Sequence, residues 1–211
     1  DFHIPADVDV GEGFDGDAYA AELKMRGVDA VAFFAKCHYG HCYYDTKIGY
    51  KHPRLKMDML AEVVRGCRKH GVGIVAYYSV FLDSMAVEHH PEWRLKATDT
   101  ATDAGFDSGN YQPVCVNSGY GEELLIPQGV EIATNYDVDE VFYDTMTGFK
   151  PCFCDACKSK FGKPIPSSAE DPNWLEYVRW YRTCYDDFFA TVARKVHEAR
   201  PGGTIAFNWE W

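Results

Sequence analysis

The 211-residue chain has no apolar run approaching the roughly 18 residues that a membrane-spanning helix needs, so no membrane partner is expected. It has no basic cluster either. Its 32 Asp and Glu outnumber 21 Lys and Arg, for a formal charge of −11, and phosphate binding depends on grouped cations. Nucleic acid is thereby excluded as the expected partner, and the ligand should be neutral or cationic. No Gly-rich phosphate loop follows any apolar run, which weakens nucleotide binding and leaves no organic cofactor to expect. Cysteine is too sparse for a disulfide scaffold: eight residues are about 4%, against the roughly 8–10% that marks one. Cys37, Cys42, Cys67 and Cys184 lie in apolar or aromatic surroundings and read as buried free thiols, which points to a reducing, cytoplasmic compartment. The chain shows no signal peptide and no initiating Met, so a processed N-terminus stays open.

What is present suits one globular domain over residues 1–211, since 46% of residues are hydrophobic and 25% charged, with no repeat or low-complexity linker to divide them. Five apolar runs read as strands: Phe2–Ile4, Val28–Ala35, Val72–Val80, Glu140–Tyr143 and Thr204–Asn208. Their continuous hydrophobicity marks buried parallel strands rather than half-exposed antiparallel ones. Between them, Asp58 can cap a helix that buries Leu60, Val63, Val64 and Cys67 and stops at Gly71. A second helix follows Asp171-Pro172 and runs to Pro201-Gly202, and a third covers Gly121–Asn135, interrupted at Pro127. This α/β alternation predicts a (β/α)₈ TIM barrel, in which chemistry gathers at the C-terminal strand ends. A whole barrel needs about 250 residues, so five strands in this length predict a partial barrel, truncated after the fifth.

Cys115 and the Pro151-Cys-Phe-Cys-Asp-Ala-Cys157 segment bracket the run Asp139–Thr145. Cysteines two and three residues apart cannot easily pair, because a disulfide needs Cβ atoms about 3.8 Å apart, whereas thiolates can converge on one ion at roughly 2.3 Å. Cys115, Cys152, Cys154 and Cys157 are therefore the candidate ligands of a zinc ion. Four thiolates leave no open position, so the zinc would be structural.

Among titratable residues, Asp144 stands out because it ends a buried strand, where a carboxylate is held at a fixed place in a partly dehydrated cleft. Glu210, two residues beyond Asn208, is the candidate second carboxylate. Asp7, Glu12, Asp83, Glu88 and Glu92 also occupy loops after strands, and nothing in the sequence ranks them. His3, His38, Tyr78 and Asn208 stand at strand ends as candidate substrate contacts, with Trp93 and Tyr43-Tyr44 as candidate stacking platforms. An aromatic content of 15% suits sugar recognition as well as a core.

The stretches Val31–His41, Asp58–Ser79 and Val138–Thr145 together resemble the second to fourth strands of family 29 α-L-fucosidases. That resemblance implies a nucleophile role for Asp144 and sugar contacts for His3 and His38. The family's paired His-His-Asp-Gly is Cys37-His38-Tyr39-Gly40 here, which removes one sugar-binding histidine. Pro113–Ser118 and Cys152–Phe161 are similar to the zinc-binding segments of family 42 β-galactosidases, and so imply metal-ligand roles for the four cysteines. That second family ends its fourth strand on an Asn-Glu acid/base pair where this chain has Tyr143-Asp144, so the likenesses leave Asp144 open between nucleophile and acid/base. The expectation is a glycoside hydrolase acting on a neutral carbohydrate. The rivals are a catalytically silent carbohydrate-binding barrel and a zinc-stabilised interaction module.

Overall fold

A computed structural model describes residues 2–98, 111–146 and 151–209. In chain order its elements are α1 (Gly16–Met25), β1 (Ala30–Lys36), β2 (His41–Cys42), β3 (Tyr50–Lys51), α2 (Met59–His70), β4 (Gly73–Ser79), α3 (Ser84–His89), α4 (Ile126–Asn135), β5 (Glu140–Met146), α5 (Asp155–Phe161), α6 (Trp174–Ala199) and β6 (Thr204–Trp209). One sheet holds all six strands in the spatial order β3-β2-β1-β4-β5-β6. β1, β4, β5 and β6 run parallel, whereas the two-residue β2 pairs antiparallel with β1 and β3 runs parallel to β2. Helices between successive parallel strands make this an arc of a (β/α) barrel.

The apolar runs form these strands because both faces are covered. Ile74, Ala76, Tyr78, Val141 and Tyr143 are buried under the helical layer. The opposite face carries an aromatic stack, in which Phe34 lies 3.9 Å from Tyr77 and Tyr77 lies 6.1 Å from Phe142. Asp58 caps α2 through its Oδ1, which accepts from Ala61 N at 2.8 Å, and Gly71 ends the helix at a φ of 64° that suits glycine. Helix α1 packs on α2 where Gly16 meets the backbone of Glu62, an approach that any Cβ would block.

Two expectations change. Phe2–Ile4 is not a strand: Ile4 N donates to the Tyr43 hydroxyl at 3.0 Å instead of joining a ladder. The Gly121–Asn135 helix is present but opens with a π-helical turn over Gly121–Leu125, and Pro127 falls in the first turn of the α4 helix that continues from it. No helix among the described residues is long and apolar enough to cross a membrane.

Candidate active site and cysteine cluster

Parallel register fixes which side chains meet at the C-terminal strand ends. Ser79 pairs with Asp144, and alternation along each strand puts Tyr77, Ser79, Phe142, Asp144 and Asn208 on one face. Asp144 Oδ2 accepts from the Tyr77 hydroxyl at 2.6 Å, and its Oδ1 accepts from Asn208 Nδ2 at 2.6 Å. Burial, followed by the bond to Asp144, pushes the Tyr77 phenol well above its ordinary pKa, so it remains a donor across the working pH range.

Facing this carboxylate, the rings of His3 and His38 stack at 3.7 Å with 26° between planes. Burial lowers the pKa of both; His38 falls to about 4, pushed further by His3, while Asp144 opposes the shift in each. Both rings are therefore neutral near pH 7, and their tautomers follow from their partners. The Ser79 hydroxyl donates to Leu82 O at 2.9 Å, so its contact of 2.8 Å with His38 Nδ1 requires the proton on that nitrogen. His38 then presents Nε2 as an acceptor. His3 Nδ1 accepts from His38 N at 3.2 Å, which puts its own proton on Nε2 as a donor. A donor and an acceptor side by side match a polyol better than a single ion. Tyr111 closes this wall, edge-on to His38 at 5.1 Å and to Tyr39 at 4.9 Å.

Four candidates fall elsewhere. Tyr78 faces the helices, fully buried, with its hydroxyl donating to Gln128 Oε1 at 2.6 Å; its neighbour Tyr77 holds the cleft position because adjacent residues of a strand point to opposite faces. Trp93 is 4% exposed and stacks on His90 at 3.8 Å, a packing role that removes it as a platform. Tyr43 and Tyr44 are likewise fully buried. Glu210 lies outside the described residues. Tyr77, Ser79 and Tyr111 were not singled out as candidates; Tyr77 and Ser79 end the same strand as Tyr78, and only the register of β4 against Asp144 tells which of them face the cleft.

The four cysteines do converge. Their sulfurs all lie within 4.8 Å of one another, and all four side chains are buried. No disulfide joins any of the eight cysteines. Cys115 and Cys157 sulfurs are 3.4 Å apart, and the Asn117 backbone and side-chain amides donate to them at 3.4 Å each. Shared hydrogen bonds, that from Cys115 foremost, draw the Cys154 thiol far below its ordinary pKa. The cluster joins the segment after β4 to the N-terminus of α5, while Cys152 N donates to Tyr177 of α6 at 2.9 Å. Of the four remaining cysteines, Cys37, Cys42 and Cys67 are buried as expected, whereas Cys184 is only half-buried.

The sequence profile described as hypothetical glycosyl hydrolase 6 matches residues 15–145, more than half of the chain. The chain belongs to this family. Its fold is similar to alpha-L-fucosidase isoenzyme 2 from Paenibacillus thiaminolyticus, with a TM-score of 0.84 and 26% identity over 99% of this chain and 31% of that one. A GH29 alpha-L-fucosidase from Bacteroides thetaiotaomicron is similar at a TM-score of 0.55 and 19% identity, over 92% of this chain and 34% of that one. A hypothetical protein from Ruminiclostridium thermocellum matches over 92% of this glycosyl hydrolase family member and 90% of its own length, with a TM-score of 0.60 and 14% identity. The last two likenesses show the fold alone. The chain spans about a third of the length of the two fucosidases. No curated protein matches it in sequence.

Proposed function

We propose that the chain forms part of the active cleft of a glycoside hydrolase acting on a neutral glycoside, with Asp144 as the nucleophile. The observation that carries this reading is the pair of donors on Asp144: Tyr77 and Asn208 each give a hydrogen bond to a different carboxyl oxygen. Both oxygens thus act as acceptors, as a nucleophilic carboxylate requires; a general acid would have to carry a proton on one of them. Asp144 would attack the anomeric carbon while the bond to the aglycone oxygen breaks and a second carboxyl protonates that oxygen. Water, deprotonated by the same second group, would then release the sugar from the ester. In such a retaining mechanism the second carboxyl stands about 5–5.5 Å from the first, and Glu210 is the candidate within this chain.

His38 and His3 would hold sugar hydroxyls through the acceptor and donor derived above. An α-L-fucoside is the first substrate to test, because similarity to an alpha-L-fucosidase spans nearly the whole chain at 26% identity. The experiment is Asp144→Asn, nearly isosteric, assayed on aryl glycosides: turnover should fall by several orders of magnitude with folding intact, and unchanged turnover would refute the assignment.

Zinc fits the cysteine cluster. Four bonds of about 2.3 Å put tetrahedral sulfurs roughly 3.8 Å apart, compatible with sulfurs that all lie within 4.8 Å. Cys115, Cys152, Cys154 and Cys157 would fill its coordination, so the ion would contribute to stability and not to turnover.

A further inference from the structure

We propose that Lys36 and Asp83 form a buried positioning clamp behind the cleft, which fixes His38 and Tyr111 where they meet the sugar; its functional sense rests on the glycoside reading. Neither residue touches the cleft. Lys36 is 1% exposed and Asp83 is fully buried, and Lys36 Nζ lies 2.5 Å from Asp83 Oδ2. Burying two charges is costly unless further hydrogen bonds satisfy them.

Here they are satisfied. Lys36 Nζ also donates to Ser79 O at 3.0 Å and to the Tyr120 hydroxyl at 2.8 Å, and stands 4.3 Å above the Tyr78 ring. The Tyr120 proton is directed between Val80 O at 2.8 Å and Asp83 Oδ2 at 3.2 Å. The other carboxyl oxygen of Asp83 accepts from Ala86 N at 2.9 Å and so caps α3.

The clamp reaches the cleft through backbone. Asp83 N donates to Gln112 O at 2.8 Å, beside Tyr111, and Met85 N donates to Tyr39 O at 2.9 Å, beside His38. Gly40, at a φ of 90°, lets this corner close: a Cβ there would stand 2.1 Å from Asp83 Oδ1. Ser79 completes the link, since its carbonyl accepts from Lys36 while its hydroxyl receives the His38 ring. An apolar pair of equal volume would fill the same space with comparable stability but would not set the relation of these three segments.

The test is the double variant Lys36→Met/Asp83→Asn, which removes both charges and keeps an acceptor for Ala86 N. Two readouts apply to the full-length protein: the tautomer of His38 by ¹⁵N NMR, and kinetics on 4-nitrophenyl α-L-fucoside. With the clamp lost, the variant should still fold, His38 should exchange between tautomers where the parent holds the proton on Nδ1, and KM should rise about tenfold with kcat little changed. A folded variant with a single Nδ1–H tautomer and parental KM would overturn the proposal. If the double variant does not fold, Lys36→Arg and Asp83→Glu, which keep both charges and move them, carry the same readouts. A parent without glycosidase turnover would refute the glycoside reading, while the tautomer measurement would still decide the clamp.

Discussion

Replacing Tyr77 by Phe isolates one hydrogen bond to the proposed nucleophile. The ring should stay in place, because it stacks on Phe34 at 3.9 Å with 19° between planes and only 8% of the residue is exposed. The loss is then the donor 2.6 Å from Asp144 Oδ2, with Asn208 still serving Oδ1. A hydrogen bond to a charged group contributes about 1.5–3 kcal/mol net. At about 1.4 kcal/mol per factor of ten, kcat/KM should drop roughly 10- to 100-fold if the misplaced carboxylate costs that much in the transition state. The assay is steady-state cleavage of an aryl glycoside, with thermal unfolding as a control. A correctly folded Tyr77→Phe enzyme with parental kcat/KM would show that this bond does not orient the reacting group.

Further outcomes follow from the cysteines and the histidines. Purified protein should carry about one zinc, and Cys154→Ser should lower both metal content and melting temperature; freshly reduced protein free of zinc would remove the ion from the account. Burial lowers His38 and His41 to about 4, whereas an unfolded histidine titrates near 6.5, so between these limits the unfolded chain binds more protons and stability falls as pH falls. For His41, 6% exposed, this amounts to about 1–2 kcal/mol between pH 7 and 4.5 after allowing for residual solvation. Urea midpoints at the two pH values should therefore converge in His41→Gln relative to the parent, and an unchanged gap would contradict the burial argument.

The barrel arc was legible because β1, β4, β5 and β6 are continuous apolar runs bounded by helices, and Asp58 with Gly71 marked α2. The cysteine quartet was legible from spacing alone. Helix α1 was not: it buries little beyond Gly16 and Ala20, so it has no apolar face to read and depends on close backbone contact with α2. The choice of Tyr78 over Tyr77 failed for a related reason. A strand buried on both faces shows no polar alternation, so parity emerges only once its register against Asp144 is known. Lys36 ends β1 and Asp83 caps α3 47 positions later, and only the fold brings them together.

The most direct test of Asp144 as nucleophile is to trap the glycosyl-enzyme ester. The full-length protein would be incubated with a 2-deoxy-2-fluoro glycosyl fluoride, digested and mapped by mass spectrometry. The account predicts one sugar adduct on the peptide that carries Asp144, abolished in Asp144→Asn. An adduct on another carboxylate, or undiminished labelling of the variant, would contradict it.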